Sequence, residues 1–214
     1  MTDAGFWTRK WEQNAIAFHE SEANPLLVQY FAELSVPAGG RVFLPLCGKT
    51  SAIHWLRSRG YRVAGAELSK VAIEQLFAEL GIEPQVSRAG EALDHYHAQD
   101  IDIFVGDLFD LSRDILGLVD AIYDRAALVA LPAEIRSRYA AHLVKITDGA
   151  PQLLISYEYD QSAMAGPPFS IRGEELRAYY RDSYDLRLLA RTDVPGGLKG
   201  KCAARETVWL LKNA

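Results

Sequence analysis

The sequence predicts an α/β protein with a doubly wound, mostly parallel sheet that ends in an antiparallel hairpin. Three observations lead to this prediction. From residue 41 onward, short apolar runs alternate with amphipathic stretches, several of which end at a glycine. The apolar runs are continuous, which is typical of parallel strands that are covered on both faces. Two further strand-like runs lie close together near the C-terminal end, with no long helix between them.

The first forty residues precede the first strand and are predicted to be helical. Large aromatic residues recur there at near-helical spacing: Phe6, Trp7, Trp11 and Phe18. Asp3 can cap the first helix, and Asn24-Pro25 opens a second one that ends before Gly40. We expect residues 1–40 to form a helical lid on an α/β core of residues 41–214, so that residues 1–214 make one domain.

Seven strands are predicted in the core. They are RVFLPLCG, YRVAGAEL, IDIFVGDLFDL, VDAIYD and QLLISYEY, followed by the hairpin strands DLRLLART and ETVWLLK. Helices are predicted after the first, second and fourth strands, and Ser69 caps the second of them. A nicotinamide-binding domain would continue with parallel strands. A doubly wound sheet that closes with an antiparallel strand is instead the architecture of class I, Rossmann-like methyltransferases that depend on S-adenosyl-L-methionine (SAM), an analogy between folds.

Composition excludes several classes of function. The 214 residues include 23 Lys+Arg and 28 Asp+Glu, a net charge of −5, which argues against a dedicated nucleic-acid-binding protein. The apolar runs are shorter than the roughly 20 residues of a membrane-spanning helix, and no signal peptide is recognisable. We therefore expect a cytoplasmic protein without membrane partners. Two cysteines and five scattered histidines show no metal-binding spacing, so no metal is expected, and no obvious dimer face is visible, so a monomer is expected.

Residues at the strand ends are the candidates for ligand binding, because open α/β sheets bind ligands beyond the carboxyl ends of their strands. Gly48 allows close backbone approach, but its loop has neither the G-x-G-x-x-G nor the P-loop pattern. Glu67 can accept both hydroxyl protons of a ribose, from NAD or SAM alike, or it caps the helix at Ser69. Asp107 can accept an adenine amino group while Leu108 covers the ring, or Asp107 is a turn residue.

The fourth strand ends in Asp124 and Arg125. A charged pair at a buried strand end is costly unless it is paired or used. We expect Arg125 to face the cleft and bind a cofactor carboxylate or an anionic acceptor, with Asp124 positioning it or taking a proton. A structural ion pair is the alternative. The fifth strand leads to Gly166-Pro167-Pro168-Phe169, which forms either a wall of an acceptor site or an ordinary loop.

These strand-end residues belong to a longer series of motifs. The motifs are Phe6-Trp7 with Lys10-Trp11, AFH (17–19), NPLL (24–27), RVFLPLCGK (41–49), GAELS (65–69), DLF (107–109), DRAAL (124–128), RYAAHL (138–143), EYD (158–160) and GPPF (166–169). Through them the chain resembles the thiopurine S-methyltransferase family in its bacterial form. The match runs in order through nearly the whole chain, and the combination of PLCGK, GxELS, DRAAL and GPPF is specific.

The resemblance implies methyl transfer from SAM to sulfur, in a thiopurine or another aromatic or heterocyclic thiol, or to selenium or tellurium compounds. It implies that SAM is bound by Trp11, Leu46, Glu67, Asp107, Leu108 and Arg125. It places Phe18 and Arg125 beside a small-molecule thiol or metalloid acceptor. Residues Gly196–Ala203 match no family motif, and acceptor preference is a candidate role for them. The alternatives are a thiol or halide methyltransferase of the same superfamily, a nicotinamide-dependent oxidoreductase, and a non-catalytic SAM-binding module.

Overall fold

The computed structural model describes residues 4–13 and 22–213. Asp3 and Phe18 lie outside these residues, so the predictions made for them stay predictions. The chain divides into two compact units, Met1–Ile122 and Tyr123–Ala214. Within the described residues, no helix combines the length and the apolar character that crossing a membrane requires.

The part of the chain that the structure describes contains nine strands and seven α-helices. The strands are β1 (Arg41–Pro45), β2 (Arg62–Glu67), β3 (Gln85–Ala89), β4 (Leu93–Ala98), β5 (Ile101–Val105), β6 (Ala121–Arg125), β7 (Gln152–Tyr159), β8 (Asp185–Asp193) and β9 (Ala204–Lys212). The helices are α1 (Ala4–Glu12), α2 (Pro25–Tyr30), α3 (Ser51–Ser58), α4 (Lys70–Leu80), α5 (Arg113–Leu116), α6 (Ala133–Thr147) and α7 (Gly173–Tyr180). All seven predicted strands are present.

The first unit contains a sheet in the order β3-β4-β5-β2-β1-β6, and β6 continues into the second unit. Strands β5, β2, β1 and β6 are parallel. Their central residues, such as Val42 and Ala64, are fully buried, as continuous apolar runs predict. The register places Pro45 opposite Ala66 and Glu67 opposite Val105, so the carboxyl ends of β1, β2 and β5 are aligned.

Strands β3 and β4 form an antiparallel hairpin that the sequence pattern does not predict. Strand β3 is exposed along nearly its whole length, and its Val86 is 56% exposed. An edge strand of this kind carries no apolar run, because it needs to bury little. Gly90, with a φ of +65°, makes the turn into β4. The predicted sheet therefore gains two strands at the β5 side.

The second unit contains three strands, which lie in the sheet in the order β7-β9-β8. Strand β9 is antiparallel to both β7 and β8, which confirms the predicted C-terminal hairpin. Helix α7 lies between β7 and β8 in sequence, where no helix is predicted. The core of this unit is built around large aromatic side chains, and Tyr139, Tyr180 and Trp209 are at most 1% exposed.

Helix termini follow their sequence signals closely. Asn24 Oδ1 accepts a hydrogen bond from Leu26 N at 2.9 Å, and Ser69 Oγ accepts one from Ala72 N at 3.3 Å. Gly81 ends α4 in the left-handed conformation. The predicted second helix is shorter than expected as an α-helix, since its last turn, Phe31–Leu34, is a 3-10 helix. These caps set the start of α4 directly after the strand end at Glu67.

Candidate functional site

The turn after β1 is shaped by two left-handed residues and one tryptophan. Leu46 has a φ of +48° and Gly48 a φ of +50°. A Cβ atom at Gly48 would lie 2.8 Å from Trp11 Cζ2, so only glycine lets the indole lie against this turn. Trp11 is 4% exposed. A non-glycine residue in the left-handed region costs about 1–3 kcal/mol, and Leu46 stays a predicted cofactor contact.

Glu67 joins the turn after β1 to the start of α4. Its Oε2 accepts a hydrogen bond from Gly48 N at 2.8 Å, and its Oε1 accepts one from Ser69 N at 2.9 Å. The side chain is 6% exposed, and this burial raises the pKa of the carboxyl group although the backbone bonds favour the charged form. Each carboxylate oxygen can accept a second bond. Glu67 therefore keeps the capacity to accept ribose hydroxyls while it orders both turns.

Cys47 lies within the same turn but is not an activated thiol. The residue is 8% exposed, and burial, followed by the nearby charge of Glu67, raises the pKa of the thiol well above its usual range. A Cβ at Gly65 would lie 2.9 Å from Cys47 Sγ, so the sulfur packs against β2. A neutral, buried thiol is a poor nucleophile, and Cys47 has a packing role here.

Asp107 and Leu108 follow the end of β5. Gly106 N donates to Glu67 O at 2.9 Å, which brings this segment beside the end of β2. Asp107 is exposed, and its Oδ1 accepts a hydrogen bond from Phe109 N at 2.9 Å, as expected of a turn aspartate. Leu108 is 5% exposed. The first unit thus brings together the predicted residues at the ends of three aligned strands: Trp11, Leu46, Glu67, Asp107 and Leu108.

In the second unit, Asp124 is 1% exposed, and both of its carboxylate oxygens accept hydrogen bonds. Its Oδ1 accepts a hydrogen bond from Leu128 N at 3.2 Å. Its Oδ2 accepts bonds from Tyr139 Oη at 2.8 Å and Gln152 Nε2 at 3.2 Å. Burial raises the pKa of this carboxyl group to about 6, and the bonds from Leu128 and Tyr139 oppose the shift. The geometry favours the predicted positioning role, since the side chain anchors the loop that follows β6.

Arg125 is half-buried at the end of β6. The next residue, Ala126, has a φ of +63°, so the turn after β6 repeats the left-handed geometry found at Leu46 after β1. Non-glycine residues adopt this conformation rarely. Strain at both turns is what we expect where strand ends present groups to a ligand.

Residues Gly196–Ala203, which match no family motif and have acceptor preference as a candidate role, pack against the GPPF loop. Lys199 Nζ donates to Pro167 O at 2.8 Å, and Tyr159 Oη donates to Pro168 O at 2.6 Å. Leu198 is 7% exposed and belongs to the same apolar cluster as Tyr159, with Cys202 packed beside it. No motif marks this stretch, so its proximity to the GPPF loop is visible only in the folded chain.

The second unit also holds a groove of about 730 Å³ that contains none of the residues predicted to bind SAM. Two ion pairs line it, Arg191 with Glu158 at 3.2 Å and Arg205 with Asp193 at 3.1 Å. Two of its four arginines are thus paired with carboxylates. We assign the candidate site from the strand-end geometry and not from this groove.

Sequence reasoning also misses a cluster on the β4–β5 pair. His95 Nε2 and His97 Nδ1 each lie 2.8 Å from Asp102 Oδ1. The histidines are scattered along the sequence with no evident partner. The antiparallel register of β4 and β5 brings Asp102 to two of them. The available signal is the H-Y-H spacing, which puts both rings on one face of a strand.

Solved structures of SAM-dependent methyltransferases share this fold. A SAM-dependent methyltransferase from Anabaena variabilis matches with a TM-score of 0.66 and 14% identity, over 99% of this chain and 95% of that chain. Magnesium protoporphyrin IX methyltransferase from Synechocystis, solved with bound SAH, matches with a TM-score of 0.65 and 13% identity, over 99% and 100% of the two chains. The fold is therefore that of the SAM-dependent methyltransferases.

The family follows from sequence similarity. Residues 2–213 match the family described as Thiopurine S-methyltransferase (TPMT). A thiopurine S-methyltransferase from Xanthobacter autotrophicus is 55% identical over 210 residues, 98% of either chain. Another from Gluconobacter oxydans is 47% identical over 208 residues, 97% of this chain and 94% of the other. The chain belongs to the thiopurine S-methyltransferase family, whose members are transferases that use SAM. This confirms the resemblance, the enzyme class and the cofactor predicted from the motifs.

Proposed function

We propose that this enzyme transfers the methyl group of SAM to the sulfur of a small aromatic or heterocyclic thiol, such as a thiopurine. The observation that carries the proposal is the arrangement of Trp11, Gly48 and Glu67. The carboxylate of Glu67 is buried and can accept further hydrogen bonds, and the indole of Trp11 packs against the same turn at Gly48. The names of the two relatives support the choice of acceptor. Selenium and tellurium compounds belong to the same proposal, since their anions are also soft nucleophiles.

The residues of the first unit suit different parts of SAM. Glu67 would accept the ribose hydroxyl protons, Asp107 the adenine amino group, and Leu108 and Leu46 would contribute apolar and backbone contacts. Trp11 would face the sulfonium, and a cation–π contact of that kind contributes roughly 0.5–2 kcal/mol. SAM supplies an activated methyl group. In the second unit, Arg125 would bind an anionic group of the cofactor or of the acceptor.

The reaction needs little acid–base help from the protein. The sulfur of the acceptor thiolate forms a bond to the methyl carbon, the bond between that carbon and the sulfonium sulfur breaks, and its electron pair stays on the departing thioether. A thiolate is already a good nucleophile, and a nearby cation such as Arg125 favours it over the thiol. Asp124 would hold the loop that carries Arg125. The protein then contributes alignment and exclusion of water.

We also propose that residues 1–40 act as a lid and that residues 1–214 work as one domain. Trp11 supports the lid, because α1 places this buried side chain against the turn at Gly48. Phe18, which lies outside the described residues, is proposed to contact the acceptor. We still expect a monomeric, cytoplasmic enzyme. Light scattering on the purified protein tests whether it is a monomer.

Substitution of Glu67 tests the cofactor site. We expect Glu67→Gln to weaken SAM binding by more than about tenfold in calorimetry, because an amide provides one acceptor oxygen where the carboxylate has two. Glu74→Gln, on the exposed side of α4, is the matched control and should bind SAM normally. Unchanged affinity in a folded Glu67→Gln protein would contradict this assignment. NAD is titrated in parallel as a control and should not bind.

An acceptor panel tests the reaction itself. Thiopurines, other heterocyclic thiols, aliphatic thiols, halides, selenite and tellurite are each incubated with enzyme and SAM, and methylated products are detected by mass spectrometry. We expect the heterocyclic thiols to be preferred. Preference for halide or for small aliphatic thiols would favour the thiol or halide methyltransferase. SAM binding with no product from any acceptor would contradict the proposed acceptor class.

A further inference from the structure

One face of the β4–β5 pair carries two histidines and an aspartate whose side chains converge. His95 and His97 are two residues apart on β4, so their side chains lie on the same face. Asp102 is directly opposite His97 in the antiparallel register. His95 Nε2, His97 Nδ1 and Asp102 Oδ1 all lie within 4.8 Å of one another. Local strand periodicity and the register together thus place three potential ligand atoms around one point.

Neighbouring residues hold these side chains in place. Arg41 Nη2 donates to Asp102 Oδ2 at 2.9 Å, which leaves Oδ1 turned toward the imidazoles. Arg41 is itself anchored by a bond from Nη1 to Leu116 O. The ring of His95 stacks on Phe104 with a centroid distance of 4.8 Å and an interplanar angle of 13°. Hydrogen bonds and packing that orient ligand side chains in this way are a common feature of metal sites.

We propose that His95, His97 and Asp102 bind a divalent transition-metal ion such as Zn²⁺. Two imidazoles and one carboxylate form a ligand set that suits zinc, and three protein ligands leave a fourth position for water. The side chain of His97 is 52% exposed, so an ion can reach the cluster from solvent. Around a tetrahedral ion the ligand atoms would be roughly 3.4 Å apart. The two 2.8 Å contacts to Asp102 Oδ1 therefore need to open by about 0.6 Å.

Replacing the hydrogen bonds of this cluster with bonds to a metal ion requires no further reactant. In the ion-free cluster each imidazole donates its N–H to Asp102 Oδ1, since an ionised carboxylate only accepts. When the ion binds, each neutral ring turns its lone pair to the ion and carries its proton on the other nitrogen. The guanidinium of Arg41 repels the ion, while the carboxylate of Asp102 attracts it. We therefore expect weaker binding than at a buried structural zinc site.

Titration of the tag-free, full-length protein tests the proposal. Calorimetry with Zn²⁺ should show one ion per chain, and Co²⁺ should give the absorption of nitrogen and oxygen ligands. His97→Gln should lower the affinity more than about tenfold, since losing even a supporting residue commonly costs that much. His54→Gln, at an exposed position on α3, is the matched control and should bind normally. Circular dichroism verifies that each variant is folded.

The results that overturn the proposal are distinct. They are the absence of saturable binding at millimolar Zn²⁺, equal affinity in His97→Gln and wild type, or a cobalt–thiolate absorption band that reveals binding at Cys47 or Cys202. Should His97→Gln fail to fold, His95→Gln serves as the second variant. Methyl transfer is measured alongside and should be the same in His97→Gln as in wild type. Either the metal proposal or the proposed function can therefore be refuted without affecting the other.

Discussion

The buried carboxyl group of Asp124 makes the stability of the protein depend on pH in a calculable way. Its pKa in the folded protein is about 6, against 3.8 for an exposed aspartate. A group whose pKa is raised by folding contributes stability that is present below its unfolded pKa and is lost as pH rises through its folded pKa. With about 1.4 kcal/mol for each pKa unit, the loss is about 3 kcal/mol.

The variant Asp124→Asn isolates this effect, because its amide does not titrate. Replacing the acid with an amide changes the hydrogen bonds from Tyr139, Gln152 and Leu128, but that cost is nearly the same at every pH. Other titrating groups, such as Glu67, occur in both proteins and cancel. The free energy of unfolding of wild type minus that of Asp124→Asn should therefore fall by about 3 kcal/mol between about pH 4 and pH 7.

Urea unfolding of both proteins at a series of pH values measures this difference. Asp182→Asn is the control, since its side chain is 95% exposed and stays in water in both states. For the control, the difference from wild type should be nearly independent of pH. A flat difference for Asp124→Asn, or one that grows with pH, would refute the reasoning and show that the hydrogen bonds outweigh the burial of the charge.

Two further stability predictions follow from the turns around the candidate site. Gly48→Ala should cost about 1–3 kcal/mol more than Gly39→Ala in urea unfolding, because both glycines have positive φ but only a Cβ at Gly48 meets a side chain, Trp11 at 2.8 Å. Equal costs would contradict the close packing of Trp11. Ser69→Ala should cost about 1 kcal/mol through loss of the α4 cap, whereas Ser58→Ala, at the exposed end of α3, should cost less. A cost at Ser69 no greater than at Ser58 would show that the Glu67 contact to Ser69 N suffices.

The pattern of the sequence predicts the elements whose local signal is strong. Strand β7 matches its predicted run, and α4 begins and ends at its predicted cap and glycine. Strand β3 is not predicted because it buries little apolar surface, and β4 is not predicted because its two buried residues, Leu93 and Tyr96, stand among polar ones. Strand β3 pairs with β4, and β4 pairs with β5, contacts that local periodicity does not encode.

Some residues of the candidate site are likewise predictable from the sequence, and others are not. Trp11, Glu67 and Arg125 can be named from motifs, because each occupies a strand end or a helix face with a recognisable neighbourhood. The partners of Asp124 cannot, since Tyr139 and Gln152 come from two other elements and meet it only in the folded interior. The same holds for the contact between Lys199 and Pro167, which links two loops that are distant in sequence.

The sequence by itself determined the α/β class, the positions of the seven main strands and the family, and it named the strand ends that we propose as the SAM site. Apolar runs, capping residues and motifs are local features, so they can be recognised in the sequence without knowledge of any long-range contact. Only the tertiary structure decided which side chains meet. It set Trp11 against Gly48, gave the carboxylate of Glu67 two backbone donors, and brought His95 and His97 to Asp102. These contacts depend on strand register and packing, which arise from the whole fold and not from any one segment.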